Sequence, residues 1–65
     1  MKYAIVLDLD GTLLDDNMRI STFDKIILKK CKSLGHKIII NTTRNYTRTV
    51  KFMDEIEADY VNCFN

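Results

Sequence analysis

Three short runs of apolar residues alternate along the chain with two stretches where apolar residues recur every three or four positions. Residues 3–9, YAIVLDL, are β-branched and aliphatic and too few for a helix. They predict a strand buried on both faces. Residues 37–42, KIIINT, repeat the pattern, and residues 60–64, YVNCF, give a third strand. Between the first two runs, Phe23, Ile27, Cys31 and Leu34 recur at helical spacing, with Ile26 beside them. A helix is predicted to start at Ser21, whose hydroxyl caps free amides, with Asp24 completing a weak capping box. Gly35 supplies its stop, and its apolar stripe is expected to face the core. A second helix, from about Asn45 to Glu57, places Tyr46, Val50 and Met53 on one face, with Ile56 following. Residues 10–20 are polar and turn-rich apart from Leu13, Leu14, Met18 and Ile20.

The order β-α-β-α-β implies a parallel sheet with right-handed crossovers. If the strands run outward in sequence, both helices cover one face and the other is bare. A naked apolar sheet face is unfavourable in water, so more chain, a second copy or another protein is expected to cover it. Sixty-five residues make at most one small domain, and a domain of that size buries only about 60% of its unfolded surface.

Composition narrows the classes. A net charge of +1 gives no field directed at nucleic acid or an anionic membrane, and neither is expected as a partner. Lys25, Lys29, Lys30 and Lys32 read as a solvated helix face. Cys31 and Cys63 lack CxxC spacing and a secretory context, so they read as reduced, partly buried thiols in a cytoplasmic protein. The start, MKYAIVLDLD, is too short in apolar residues for a signal-peptide core or a membrane span.

The chemistry gathers where strands end. Ligands of doubly wound sheets bind at the carboxyl ends of the strands. Asp8 and Asp10 close the first run, and alternation points both to roughly the same side. Thr42 closes the second run, about 5 Å away if the strands are neighbours. Gly11 lets the backbone turn sharply and approach a ligand. Two carboxylates, a hydroxyl and free amides suit a divalent cation with a phosphate. A calcium loop is excluded because the glycine is fourth rather than sixth and a strand precedes it. No GxGxxG opens either helix, which excludes a dinucleotide site. A receiver domain is disfavoured because the paired aspartates lie on the first strand.

Residues 5–14, IVLDLDGTLL, resemble the first motif of the haloacid dehalogenase-like (HAD) superfamily, an apolar run followed by DxDGT. Residues 38–44, IIINTTR, resemble its second motif, and the Thr-x-Arg form is similar to the Cof-type branch, with Thr43 where that branch usually has Gly. The ending, DYVNCFN, resembles the stretch that precedes the Cof-type cap. The resemblance implies a three-layer, doubly wound (Rossmann-like) α/β fold. Residues 1–65 would be its βαβαβ N-terminal part, without the cap and the C-terminal half of the core.

The resemblance further implies that Asp8 is a nucleophile forming an aspartyl-phosphate and that Asp10 is the general acid/base. Magnesium would be bound by Asp8 and Asp10, the latter through its main-chain carbonyl. Thr42 and the Gly11 turn would bind the phosphate. Arg44 and Thr43 are candidate substrate or loop contacts, with a surface ion pair an equal reading for Arg44. Thr12 reads as a loop organiser, Asp15, Asp16 and Asn17 as turn formers, His36 as a surface residue and Tyr46 as packing.

The family's later lysine and acidic metal ligands have no counterpart in these residues. The activity that the resemblance implies is that of a magnesium-dependent phosphatase acting on a small phosphorylated metabolite. The chain alone is expected to turn over weakly or not at all. The alternative is a non-catalytic module docking through the bare sheet face.

Overall fold

A computed structural model describes residues 2–63. Strand β1 spans Ala4–Asp8, helix α1 Thr22–Ser33, strand β2 Lys37–Thr42, helix α2 Tyr46–Ile56 and strand β3 Tyr60–Cys63. The predicted order of elements is therefore found. Phe64, expected to end the third strand, lies outside the described residues.

The sheet is parallel throughout, in the order β1-β2-β3. Ile5 pairs with Ile38, Leu7 with Ile40, and Ile40 with Val61, so these residues point to one face. Ile38 and Ile40 are completely buried there, beneath Leu28 of α1 and Phe52 and Ile56 of α2. Two crossovers of one hand in a sheet that grows outward place both helices on the same side. The other face carries Ala4, Val6, Ile39 and Tyr60, of which Val6 is 54% and Tyr60 62% exposed. The expectation that β1 is buried on both faces is thus corrected. Apolar side chains line both faces of the strand, but helices cover only one, and sequence alternation cannot distinguish a covered apolar face from an open one.

Two helix faces also differ from expectation. In α1 the buried residue is Leu28. Phe23 is 69% exposed, Leu34 61% exposed, and Ile26 and Ile27 are exposed as well. The apolar arc of α1 is wider than the strip of sheet beneath it. Ile27 and Cys31 instead border a groove with Ile5, Leu7 and Leu13 along β1. In α2 the buried line is Thr49, Phe52 and Ile56, while Tyr46 is exposed and Val50 and Met53 are half-buried. Thr49 tolerates complete burial because its hydroxyl donates to the Asn45 carbonyl, 2.9 Å away. The packing role expected of Tyr46 is not found.

The caps behave as the residue types dictate. The Ser21 hydroxyl accepts from the Asp24 N–H at 3.0 Å, and the Asn45 side chain accepts from the Arg48 N–H at 3.0 Å. Gly35, with φ +93°, ends α1 in a Schellman turn: His36 N–H donates to Cys31 C=O and Gly35 N–H to Lys32 C=O. Helix α2 ends on Glu57 instead, at φ +53°, a left-handed conformation that a side chain disfavours.

Asp59 locks the α2–β3 junction to β2. Its carboxylate accepts from the Ile38 N–H at 2.8 Å and from the Lys32 ammonium at 3.2 Å, while its own N–H donates to the Ile38 carbonyl. Lys32 is therefore an ion-pair partner rather than part of a freely solvated face. His36 is likewise engaged, its Nδ1 accepting from the Tyr3 N–H at 3.0 Å. Both cysteines are free and half-buried. Among the described residues no helix is long and apolar enough to cross a membrane.

Two stability predictions follow from these features. Glu57→Gly should stabilise the chain by about 1 kcal/mol, raising its thermal midpoint by roughly 4–8 °C in a denaturation scan. The Ile38 N–H, and then the Lys32 ammonium, hold the Asp59 carboxyl below the usual carboxylate range. A depressed folded-state pKa contributes stability above the unfolded value that is lost as pH falls through the folded one. Asp59→Asn should therefore lower stability at pH 7 and flatten the decline seen below about pH 4 in urea titrations.

Candidate functional site

The site begins with the register. Asp8, the last residue of β1, pairs with Asn41, and Asn41 pairs with Asn62 on β3. The Asn62 amide donates to the Asn41 side-chain oxygen at 2.9 Å. A polar row, Asp8–Asn41–Asn62, thus crosses the carboxyl end of the sheet on its open face. Sequence reading missed Asn41 and Asn62, because only the register aligns them with Asp8. It also placed Thr42 beside Asp8, whereas Thr42 stands one residue further along β2.

Beyond Asp8 the chain leaves the sheet through a wide loop, Leu9–Leu13, closed by the Leu14 N–H donating to the Leu9 carbonyl at 2.9 Å. Leu9 is fully buried and anchors the loop, while Asp10 stays extended. Gly11 then reverses the chain at φ +80°, a conformation that favours glycine. Asp15 organises the following turn: its carboxylate accepts from the Asn17 and Arg19 N–H groups at 2.8 and 3.0 Å. Leu14 and Ile20 pair antiparallel and close this second loop over the core.

Asp8, Leu9, Asp10, Asn41, Thr42 and Thr43 line one pocket of about 250 Å³. The predicted residues Asp8, Asp10, Thr42 and Thr43 therefore meet at a single concavity, with Asn41 added. Gly11 shapes the loop but is not in the lining. Arg44 stands behind the rim, where its guanidinium forks onto Asp10: Nε donates to one carboxylate oxygen at 3.0 Å and Nη2 to the other at 2.8 Å.

The Arg44 side chain is held from other sides as well. Its Cζ lies 5.7 Å from the centre of the Phe52 ring, and its Nη2 is 4.0 Å from the Met18 sulfur. Its backbone N–H donates to the Thr42 hydroxyl oxygen at 3.1 Å. That bond uses a lone pair of Thr42 and leaves the hydroxyl proton to be donated elsewhere. Arg44 is thus both the ion-pair partner and the loop contact considered from sequence, tying the loop after β1 to the loop after β2.

The electrostatics follow from that tie. The hydrogen bonds from Arg44 hold the Asp10 carboxyl below its ordinary range, and Asp10 in turn raises the Arg44 guanidinium above its own. At neutral pH Asp10 is a carboxylate committed through both oxygens. Asp8 is exposed at the pocket and available to a ligand. Among the described residues no three His, Cys, Asp or Glu side chains form a ready cage for a metal ion. Asp8 and the Asp10 segment bring carboxylate and carbonyl oxygens to the pocket, hard donors of the kind magnesium takes.

Comparison with known proteins places these features in context. The family model described as haloacid dehalogenase-like hydrolase matches residues 5–65. The chain is 38% identical over 55 residues to the 5-amino-6-(5-phospho-D-ribitylamino)uracil phosphatase YitU of Bacillus subtilis, covering 85% of this chain and 20% of that protein. It is 34% identical over 69 residues to YxeH of the same organism, named a phosphatase on a provisional basis, covering 100% of this chain and 26% of that protein. The chain thus spans about a fifth to a quarter of the length of these curated relatives.

Arg44→Gln should remove the charged fork and let the Asp10 midpoint rise towards the ordinary value of 3.8. Carboxyl carbon NMR of the wild-type and variant chains checks the shift. An unmoved Asp10 midpoint would show that the ion pair does not persist in solution.

Proposed function

The chain belongs to the haloacid dehalogenase-like hydrolases, and on that premise we propose that it carries the nucleophile-bearing part of a phosphatase site for a small phosphorylated metabolite in the cytoplasm. The observation that carries this reading is the shared pocket, in which Asp8, Asp10 and Thr42 converge at the carboxyl end of the parallel sheet.

In this reading the Asp8 carboxylate attacks the phosphorus atom and forms an aspartyl-phosphate as the alcohol leaves. Asp10, a carboxylate in the free chain, takes up a proton from solvent once a phosphorylated ligand is bound, gives it to the leaving oxygen, then takes one from the water that hydrolyses the intermediate. Thr42, its lone pair engaged by the Arg44 N–H, donates its hydroxyl proton to a phosphoryl oxygen. The amides of the Asp10–Gly11 turn add further donors to the transferring group. Asn41, held by Asn62, fixes the polar edge beside Asp8. Magnesium would be held by the Asp8 carboxylate and the Asp10 main-chain carbonyl. It would supply positive charge where a phosphate meets two carboxylates.

The names of the relatives support a phosphorylated substrate. The open sheet face, with Val6 and Tyr60 exposed, is where further chain or a second copy would pack.

The test separates Asp8 from every other carboxylate and needs no turnover. Beryllium fluoride with magnesium mimics an aspartyl-phosphate, and fluorine NMR should show an adduct with the wild-type chain that Asp8→Asn abolishes. Thr42→Val should weaken the adduct by roughly tenfold, the cost of about one hydrogen bond to a charged group. An adduct that survives Asp8→Asn would refute the assignment of the nucleophile.

A further inference from the structure

The Asp10 carboxylate poses a chemical difficulty. Both of its oxygens are engaged by Arg44, yet the proposed acid/base work requires that carboxylate to exchange a proton with a leaving group or a water. A second concerns the ligand. The pocket lining holds two carboxylates, Asp8 and Asp10, and no cationic side chain, so the proposed magnesium would meet the charge of an incoming phosphoryl group without help from a lining side chain. One rearrangement bears on both.

We infer that Arg44 is a phosphate ligand held in reserve: its fork, seen here on Asp10, passes to two phosphoryl oxygens when a phosphorylated ligand enters, and the exchange frees the Asp10 carboxylate. The inference rests on the phosphatase reading only in taking the ligand to be phosphorylated.

Three features carry it. First, the two parallel N–H donors that grip a carboxylate match two oxygens of a phosphoryl group equally well, so one fork serves both partners. Second, the pair is open to solvent on its acidic side: the Asp10 side chain is 47% exposed and that of Arg44 22%, so a competing anion in water can reach the fork. Third, Arg44 does not depend on Asp10 for its placement. The Phe52 ring lies against its guanidinium and the Thr42 hydroxyl holds its backbone N–H, contacts in which Asp10 has no part. Lys51 stands on the same ring, 5.8 Å from its centre. It belongs to α2 and not to the loop after β2, which leaves Arg44, among the described residues, as the cation tied to the site.

The exchange gives Arg44 two tasks in one movement. It brings positive charge to the anion at the moment of binding, and it releases the proposed acid/base only when a ligand is present. Asp10 is thereby kept occupied in the free chain.

The experiment is a titration of the isotopically labelled chain with inorganic phosphate at pH 7 in the presence of magnesium. The Arg44 Nε–H and the Asp10 carboxyl carbon are followed by NMR. Both signals should move along one saturating curve. Arg44→Lys, which keeps the charge and loses the fork, should weaken phosphate binding by about tenfold. Asp10→Asn, which removes the competitor, should tighten it, and that gain should vanish in the Asp10→Asn/Arg44→Lys double variant. A gain of equal size in both backgrounds would reduce the effect to loss of a negative charge and overturn the exchange.

The wild-type titration decides the matter even if a variant does not fold. Absence of phosphate binding overturns the inference, and so does binding that shifts Thr42 while Arg44 and Asp10 stay still. The beryllium fluoride adduct keeps the two ideas apart. An adduct on Asp8 that leaves Arg44 unmoved sinks the exchange and spares the phosphatase reading. Phosphate exchange at Arg44 without any adduct does the reverse.

Discussion

Parallel pairing of β1 with β2 is the constraint on which the site depends. In a parallel sheet both strands deliver their carboxyl ends to the same edge, and the Asp8–Asn41 register fixes how far each extends. The loops after the two strands then have to meet. Leu9, fully buried, pins one loop to the core, and Thr42, also buried, pins the other. The candidate groups sit at the last residues of the two strands and in the loops that follow them, and a slip of one residue would carry Asp8 to the covered face.

Around this constraint the chain uses local chemistry economically. Ser21 and Asn45 cap the helices, Gly35 ends the first, and Gly11 turns the loop that bears Asp10. Each sits where its backbone or side-chain properties are needed. Met18, at φ +60°, and Glu57, between the end of α2 and the Asp59 lock, are the exceptions, side chains in a conformation better suited to glycine. Longer-range ties join the elements: Asp59 to Ile38 and Lys32, Tyr3 to His36, and Asp10 to Arg44. Two of the three involve charged groups near water, so these ties specify position more than they add stability.

Much of this was legible in the residues. Strand and helix order, the Ser21 cap, the Gly35 stop and the gathering of Asp8, Asp10 and Thr42 at the carboxyl ends of the strands follow from pattern and residue type alone. Facing was not legible. Phe23 and Leu34 lie on the apolar arc of α1 yet remain exposed, because the described sheet is narrower than the arc. Thr49, a polar residue, is buried where Tyr46, an aromatic, is not, because Thr49 can satisfy its hydroxyl within its own helix. Asn41 and Asn62 escaped notice for another reason. Their partnership is a property of strand register, and register emerges only when separate runs are laid side by side. Arg44 could be singled out from sequence, but its bidentate grip on Asp10 is a distance, and sequence contains none.

The strand that bears Asp8 is also an outer strand of the described sheet. Its far side presents main-chain donors and acceptors as a template onto which another strand can zip. Anything that zips there stiffens the backbone immediately before Asp8. The sharpness with which the Asp8 carboxylate is aimed is therefore coupled to occupancy of that border, and loosening it would blur the aim without altering a single group in the pocket.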